Sequence, residues 1–253
     1  MPFPVGLIGG SNNQAIRATG GTLSPITGYT VHTFTADGTL GIQKGTGTVE
    51  CLVVAGGASG ARYDSNGAGG GGAGGYLEGN KTLSIGSYTA TVGAGGGVRT
   101  GANSAGQNGN NSVFDNATAI GGGGGGASGV GSAGGSGGGG GNNSNGGAAT
   151  QGNSGGLTGY GGAGRNDNSG GGSAGAGGGA SGNTPSLGPT DFGAAGRASS
   201  ITGTSVTYAR GGGVRYNTTA ISGAVNTGDG GMGMYQANSG SGGSGIVVVR
   251  YIK

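Results

Sequence analysis

The run GGGGGG at residues 121–126 is the stretch that decides how this chain folds. A second run, GGGGG, occupies residues 137–141, and looser glycine-rich stretches recur at residues 69–75, 93–97, 170–182, 228–233 and 240–245. Glycine has the largest backbone entropy and no side chain to pack, so neither a helix nor a strand gains from such a run. Two states remain, which are a disordered linker and a bundle of extended polyglycine II helices.

The composition favours the disordered linker, whereas the order of the segments favours the bundle. The 77 glycines among 253 residues follow no strict Gly-X-Y repeat, which is typical of low-complexity sequence. Short segments rich in β-branched and aromatic residues nevertheless separate the glycine stretches, as if each stretch joined two anchor points. In the polyproline II geometry the N–H and C=O groups point sideways, and only a glycine neighbour lets another backbone come close enough to bond them. We therefore expect an ordered bundle.

The segments between the glycine stretches predict β-strands. The most apolar are TVECLVVA at residues 48–55 and IVVVRYI at residues 246–252, and we expect Val53 and Val248 to be buried in a common β-layer. Turn residues between shorter β-like segments predict four hairpins. These join residues 29–35 to 39–42 across Asp37-Gly38, 81–85 to 88–92 across Gly86-Ser87, 112–114 to 117–120 across Asp115-Asn116, and 200–202 to 205–209 across Gly203-Thr204.

The predicted fold class is mostly β and irregular, in three parts. A base of β-strands carries a shaft, which is the bundle or sandwich of polyglycine II helices, and the shaft ends in a crown of distal loops. Residues 29–253 form this glycine-rich domain. Residues 1–28 read as a tether, whose apolar Phe3, Val5, Leu7 and Ile8 dock on a partner or pack back on the domain. The crown loops are expected at residues 62–66, 98–110, 127–133, 142–153, 165–168, 183–192, 214–225 and 232–238.

Charge and hydropathy restrict the partners. The eleven basic and eight acidic residues are scattered, so no basic run indicates nucleic acid or an anionic membrane surface. The N-terminus lacks the basic and long apolar regions of a signal peptide, and no apolar stretch approaches the ~20 residues of a membrane span. We expect the protein to stay in a cytoplasm or to leave it by another route, such as assembly into a virus particle followed by lysis.

Catalytic chemistry finds little support in the residues. His32 is the only histidine and falls in a predicted strand, where a core role is expected, and the only cysteine, Cys51, alternates with valines as a buried thiol does. A Cys51–His32 pair across neighbouring strands stays open. The eight acids show no glycosidase or metal-binding spacing, and the P-loop signature is absent. We expect a non-enzymatic protein with no cofactor and no metal.

Binding chemistry is better represented, in the predicted crown. Aromatic rings beside arginine forks suit the recognition of sugars or proteins, and loops on a rigid scaffold often carry recognition. The alternative for each tyrosine is a cap at the bundle edge. Tyr160 belongs to this aromatic set, and the candidate receptor-binding residues are Arg62, Tyr63, Asp64, Arg99, Arg165, Asp167, Phe192, Arg215, Tyr216 and Tyr235.

The order of the motifs resembles the glycine-rich domain of phage tail proteins, over residues 28–253. The motifs that carry the resemblance are YTVHTFTADGTL (29–40), TVECLVVAGG (48–57), SVF (112–114), TAIGGGGGG (118–126), SSITGTSVTYA (199–209) and GGSGIVVVRY (242–251). The predicted shaft is also similar to phage tail-fibre tip adhesins, in which loops between polyglycine helices form the receptor-binding tip.

This resemblance implies a virion-borne phage tail-fibre or tail-tip adhesin. Its loops would bind a host surface polysaccharide or an outer-membrane protein, residues 1–28 would bind other phage virion proteins, and the chain would form a homotrimer, as phage fibres usually do. The first alternative is a purely structural fibre or decoration protein of the virion head or neck. The second is an antifreeze protein with a flat ice-binding face, and a depolymerase ranks last.

Overall fold

The computed structural model describes residues 15–65, 67–167, 174–182, 190–216 and 219–253, with the side chains of residues 190–192 and 216 left aside. All regular elements of this part are β-strands, and it contains no helix. They are β1 (Arg17–Thr19), β2 (Thr22–Ile26), β3 (Tyr29–Phe34), β4 (Gly38–Lys44), β5 (Gly47–Val54), β6 (Arg62–Tyr63), β7 (Tyr76–Leu83), β8 (Gly86–Thr91), β9 (Ser112–Phe114), β10 (Ala117–Ala119), β11 (Thr158–Tyr160), β12 (Thr190–Phe192), β13 (Arg197–Ser199), β14 (Val206–Tyr208), β15 (Gly212–Tyr216), β16 (Gly233–Tyr235) and β17 (Ile246–Ile252).

The base consists of two antiparallel sheets packed face to face. One has the strand order β1-β4-β8-β9-β10, and the other has the order β11-β7-β5-β17-β3-β2. Side chains alternate between the two faces of each strand, so every second residue of β5 and β17 points into the space between the sheets. The core that fills this space includes Phe34, Leu40, Val53, Leu77, Phe114 and Val249.

A second core covers the outer face of the six-stranded sheet. Val248 and Leu52 lie on this face and pack against Ile201 and Tyr208 of the β13–β14 hairpin region. The prediction for Val53 and Val248 is confirmed, because both are fully buried in one sheet, with Val53 opposite Val247 and Val248 opposite Leu52. They lie on opposite faces of that sheet, so each contributes to a different core.

Two of the four predicted hairpins are confirmed. Strands β9 and β10 pair directly, and Asp115 in their turn has a φ of 55°, a value that short polar residues adopt more readily than others. Strands β13 and β14 also pair, but β13 ends at Ser199, so the hairpin exists while the predicted first strand at residues 200–202 lies in its turn.

The other two predicted hairpins are wrong, because each turn carries the chain from one sheet to the other. β3 pairs with β2 and β17, whereas β4 pairs with β1 and β8. Likewise, β7 pairs with β5 and β11, and β8 with β4 and β9. Because the chain crosses between the sheets here, Phe34 of one sheet and Leu40 of the other both lie in the core between them. A two-stranded hairpin would keep both residues in the same sheet. Asp37 instead accepts the Val92 N–H at 2.8 Å.

Residues 15–28 are the described part of the segment expected to be a tether. They contain β1, which lies at the edge of the five-stranded sheet, and β2, which lies at the edge of the six-stranded sheet. Pro25 lies in β2, and an edge strand tolerates proline because one of its sides needs no ladder hydrogen bonds. Phe3, Val5, Leu7 and Ile8 lie outside the described residues.

The shaft consists of glycine-rich segments that connect the strands and bond to one another through their backbones. Segment 55–61, which follows β5, shows the pattern most completely: its N–H groups serve three neighbouring segments in turn, and every third residue returns to the same neighbour. The first set of N–H groups, from residues 55, 58 and 61, donates to residues 75, 72 and 69. The second set, from residues 56 and 59 and from residue 62 directly after the segment, donates to residues 110, 107 and 104. The third set, from residues 57 and 60, donates to residues 243 and 240.

The carbonyls of segment 55–61 serve three further neighbours. They accept N–H groups from segments 93–97, 121–126 and 228–233, so this one segment is surrounded by six others. A Cβ added to Gly56, Gly57 or Gly60 would overlap a neighbouring carbonyl. Only glycine permits such an approach, and the missing side chains let each buried N–H and C=O find a partner.

Candidate functional site

Loops from four separate parts of the chain meet at the end of the shaft away from the base. Segments 55–61 and 69–75 run antiparallel, so the connection between them lies at the far end from β5 and β7. Arg62 in this connection forms a bridge with Ser104 of a second loop. We name residues 62–65, 98–104, 214–216 and 233–239 the loop cluster.

A short sheet holds the loop cluster together. Its strand order is β12-β15-β16-β6, and β15, β16 and β6 run parallel. The register places Tyr63 beside Tyr235, which lies beside residue 216, and it places Arg62 and Arg215 on either side of Met234. Because neighbours in a parallel register share a face, the side chains of Tyr63 and Tyr235 lie on one face of this sheet. Both side chains are partly exposed.

Arg62 connects three loops through its guanidinium group. Its Nε and Nη2 donate to the two carboxylate oxygens of Asp64 at 2.9 and 3.3 Å. Its Nη1 donates to the Thr100 carbonyl at 2.7 Å and to Asn238 Oδ1 at 3.2 Å. The Arg62 and Asp64 side chains therefore bind each other and the adjacent loops, so their first role is to position the loop cluster.

Further hydrogen bonds fix the remaining loops. Arg99 donates its N–H to Ser239 Oγ at 2.9 Å, and Ser239 returns its N–H to the Arg99 carbonyl at 3.1 Å. Gln236 Nε2 donates to the Asp64 carbonyl at 3.1 Å, and Asn103 Oδ1 accepts the Asp64 N–H at 3.2 Å. The sequence did not single out Gln236, Asn103 or Ser239, and their only signal is that they are polar residues close to glycine-rich stretches.

Arg165 and Asp167 belong to a different turn of the shaft. Asp167 is buried, accepts the Asn143 N–H at 2.8 Å and donates its own N–H to the Ser144 carbonyl. Asn142 and Asn143 have φ values of 45° and 61°, in the left-handed region that asparagine tolerates. Asp167 therefore stabilises this turn, and the backbone of Arg165 bonds to Gly140 and Ala176 within the shaft.

The expectation that Tyr160 lies in the crown is wrong. Tyr160 ends β11 in the base, where its ring meets the Tyr76 ring edge-on at 5.9 Å and the Arg197 guanidinium at 3.8 Å. The ring buries its apolar surface beside the six-stranded sheet. For Phe192 the structure gives only the backbone, which pairs with Gly212 in β15.

Parts of three predicted loops are glycine-bundle segments that return toward the base. Residues 107 and 110 accept hydrogen bonds from segment 55–61, residues 145 and 148 accept from residues 131 and 134, and residue 221 accepts from residue 232. The predicted loops 98–110, 142–153 and 214–225 are therefore shorter than expected, because residues other than glycine also occupy bundle positions, here glutamine, asparagine, alanine and isoleucine.

His32 and Cys51 lie in the base as core residues. His32 Nδ1 lies 2.7 Å from the Gly20 carbonyl and Nε2 lies 3.1 Å from the Tyr251 hydroxyl, and burial lowers the pKa of the imidazole. Burial raises the pKa of the Cys51 thiol to about 12. Val249 of the intervening β17 pairs with both residues, so a direct Cys51–His32 pair across neighbouring strands is wrong.

The described residues show neither a cluster of metal ligands nor a helix that could span a membrane. These residues bring together no group of three or more histidine, cysteine, aspartate or glutamate side chains that could hold a metal ion. They also include no helix with the length and apolar character of a membrane span.

Comparison with known proteins identifies the class of this chain. Residues 30–252 match the family described as a glycine-rich domain, and the chain belongs to that family. No curated protein matches it.

Proposed function

We propose that this protein is a virion-borne, non-enzymatic adhesin of a phage tail fibre or tail tip. The loop cluster would bind a host surface polysaccharide or an outer-membrane protein. The observation that carries the proposal is the convergence of four loops, distant in sequence, at one end of a backbone-bonded bundle. There Arg62 holds neighbouring loops in place, and Tyr63 and Tyr235 share one partly exposed face. A fixed scaffold lowers the entropy lost when loops bind a ligand.

The shaft segments are proposed to be polyglycine II helices. Such a helix has three residues per turn, so every third N–H points in the same direction. The hydrogen bonds of segment 55–61 follow this period. Its six neighbours correspond to hexagonal packing of rods whose axes are aligned, irrespective of chain direction. In the same proposal, residues 1–28 attach the domain to other virion proteins and the adhesin is a homotrimer located on the phage tail.

Adsorption of purified protein to host cells tests the proposal. The informative variant is Tyr63→Ala/Arg215→Ala/Tyr235→Ala, which removes side chains of the loop cluster and keeps the Arg62–Asp64 pair that positions it. The matched control is Arg17→Ala/Tyr29→Ala/Tyr88→Ala, which removes the same residue types from the base. We expect the first variant to lose at least tenfold in adsorption with an unchanged melting profile, and the control to adsorb like the parent.

Two results would contradict the proposal and favour its rivals. Full adsorption by the loop-cluster variant would place the receptor site elsewhere. Failure of the parent protein to adsorb to any host of a virus that carries it would favour a structural fibre or decoration protein of the head or neck. Thermal hysteresis of the purified protein would favour the antifreeze alternative instead.

A further inference from the structure

A cleft opens at the end of the base opposite to the loop cluster. β17 begins beside the shaft, where Gly245 donates to the Gly93 carbonyl, and it runs away from the shaft toward Tyr251. The cleft lies at that far end and has a volume of about 470 Å³. Its lining residues are Ala15, Ile16, Arg17, Ala18, Thr30, Lys44, Tyr251 and Lys253.

The cleft has an apolar floor. Ile16 and Tyr251 are buried members of the core between the two sheets. The Tyr251 hydroxyl accepts the Ala18 N–H at 3.3 Å and lies 3.1 Å from His32 Nε2, so its polar tip is already engaged. The floor therefore contributes a small apolar surface to a lining that is otherwise mixed.

Three cations surround this floor without an acidic partner. Arg17, Lys44 and Lys253 are exposed, and within the described residues none of them forms an ion pair. The other basic side chains of the base do have acidic partners. These pairs are Lys81–Asp115, Arg197–Glu78 and Arg250–Glu50.

We propose that this cleft binds an acidic, partly apolar peptide segment of another protein. Three like charges around one cleft repel each other, and an anionic partner relieves that repulsion while fixing its own orientation. The apolar floor would take aliphatic side chains of the same segment. A second copy of this chain is a poor occupant, because Glu50, Glu78 and Asp115 of the base are already paired. Asp37, which is exposed and forms no ion pair among the described residues, would supply one negative charge for three cations.

Nucleic acid fits the cleft less well than an acidic peptide. Duplex recognition uses many phosphate contacts along an extended basic surface, whereas only three cations are gathered here. An open cleft with buried aliphatic and aromatic residues on its floor suits one extended peptide segment. The inference identifies an attachment surface at the pole away from the proposed receptor site. It deepens the proposed attachment through residues 1–28, because residues 15–18 line the cleft, and it does not depend on host binding.

Fluorescence anisotropy with a defined probe tests the inference. The probe is a labelled peptide of four Leu-Glu repeats, and its control is the same peptide with Gln in place of Glu. We expect Arg17→Gln/Lys44→Gln/Lys253→Gln to weaken binding of the acidic probe at least tenfold, and added salt to weaken binding to the parent protein. The charge-conserving variant Arg17→Lys/Lys44→Arg/Lys253→Arg should bind like the parent.

Each remaining outcome decides the question. Equal binding of the Glu and Gln peptides, or parent-like binding by the triple Gln variant, would overturn the inference. So would preferential binding of a short DNA duplex. Photo-crosslinking of the probe to the unmodified protein is independent of any folding defect in the variants. Crosslinks away from residues 15–18, 30, 44, 251 and 253 would also overturn the inference. Adsorption to host cells is measured separately, so its loss and the loss of peptide binding are distinguishable.

Discussion

The base and the shaft of this protein are held together by different parts of the chain. In the base, fully buried side chains such as Leu77, Phe114 and Val249 fill the space between two sheets, as in an ordinary β-sandwich. In the shaft, neighbouring backbones bond directly and leave no room for a side chain at most glycines. The base therefore depends on which side chains are present, whereas the shaft depends on their absence.

The difference determines how each region responds to substitution. A core position in the base loses packing when a side chain is shortened, and the loss scales with the atoms removed. A glycine in the shaft can only be replaced by a larger residue. The added atoms then meet neighbouring backbone, which cannot move away by changing rotamer as a side chain can. Substitutions of opposite kinds therefore probe the two regions.

The largest effect is expected for Gly123→Val. A Cβ at this position would lie far closer than 3.0 Å to the carbonyl oxygen of Ser132, so two bonded segments would have to separate. We expect the variant to yield no soluble folded protein when expressed beside the parent.

Gly129→Val is the matched control, because a Cβ there has no neighbour within 4 Å. It should express and melt close to the parent. Normal folding of Gly123→Val would contradict the close-packed shaft, and equal damage by both variants would show that valine is disruptive anywhere in the glycine stretches.

Valine truncation in the base should have an intermediate effect. Val53→Ala and Val248→Ala each remove two methyl groups from a fully buried site, and each should lower the free energy of unfolding by about 1–3 kcal/mol in urea denaturation. Val225, which is 74% exposed, supplies the control, and Val225→Ala should change it by less than about 0.5 kcal/mol. Losses as small as the control's would contradict the description of the base as a side-chain core.

The pH dependence contributed by His32 should be smaller. Burial lowers its pKa below the ordinary 6.5, so the unfolded chain binds a proton that the folded protein does not. The contribution of His32 to stability is therefore complete above about pH 6.5 and decreases as the pH falls below that value. His32→Gln should flatten this part of the stability curve in urea denaturations between about pH 5 and pH 8. Parallel curves for the two proteins would contradict this role.

The smallest effect concerns the Cys51 thiol, which should be unreactive in the native protein and reactive in the unfolded protein. Burial keeps its thiol protonated at neutral pH, and the thiolate is the reactive form. We expect no reaction with an aromatic disulfide reagent at about pH 8 in the native protein, and complete reaction after unfolding in guanidinium chloride. Rapid native-state labelling would show that the core between the sheets opens readily.

The sequence predicted the parts of the fold that side chains encode locally. The apolar runs located β5 and β17, and Asp115-Asn116 located the β9–β10 hairpin. Two other turns were misassigned, because a hairpin and a crossover between sheets begin with the same residues, and only the shared core of Phe34 and Leu40 distinguishes them.

The sequence could not predict which segments neighbour each other in the shaft, for a related reason. Gly57 bonds to Gly243 and Gly71 bonds to Gly231, and glycines carry no side chain that could specify such a partner. For the loop cluster, the sequence did predict where Arg62, Tyr63, Arg99 and Tyr235 meet. It did not reveal that Arg62 and Asp64 bind each other, since that contact depends on the loops that surround them.

Amide hydrogen exchange tests the central structural claim most directly, namely that hydrogen bonds, mainly between backbones, order the shaft as firmly as packed side chains order the base. The comparison is between Gly57, Ala58 and Ser59 at the centre of the shaft and Val248 in the base. Protected amides exchange only when their region opens, so the exchange rate measures local stability. We predict that all four amides exchange only through global unfolding. Exchange of the three shaft amides at nearly the rate of unprotected amides, with Val248 still protected, would contradict this claim.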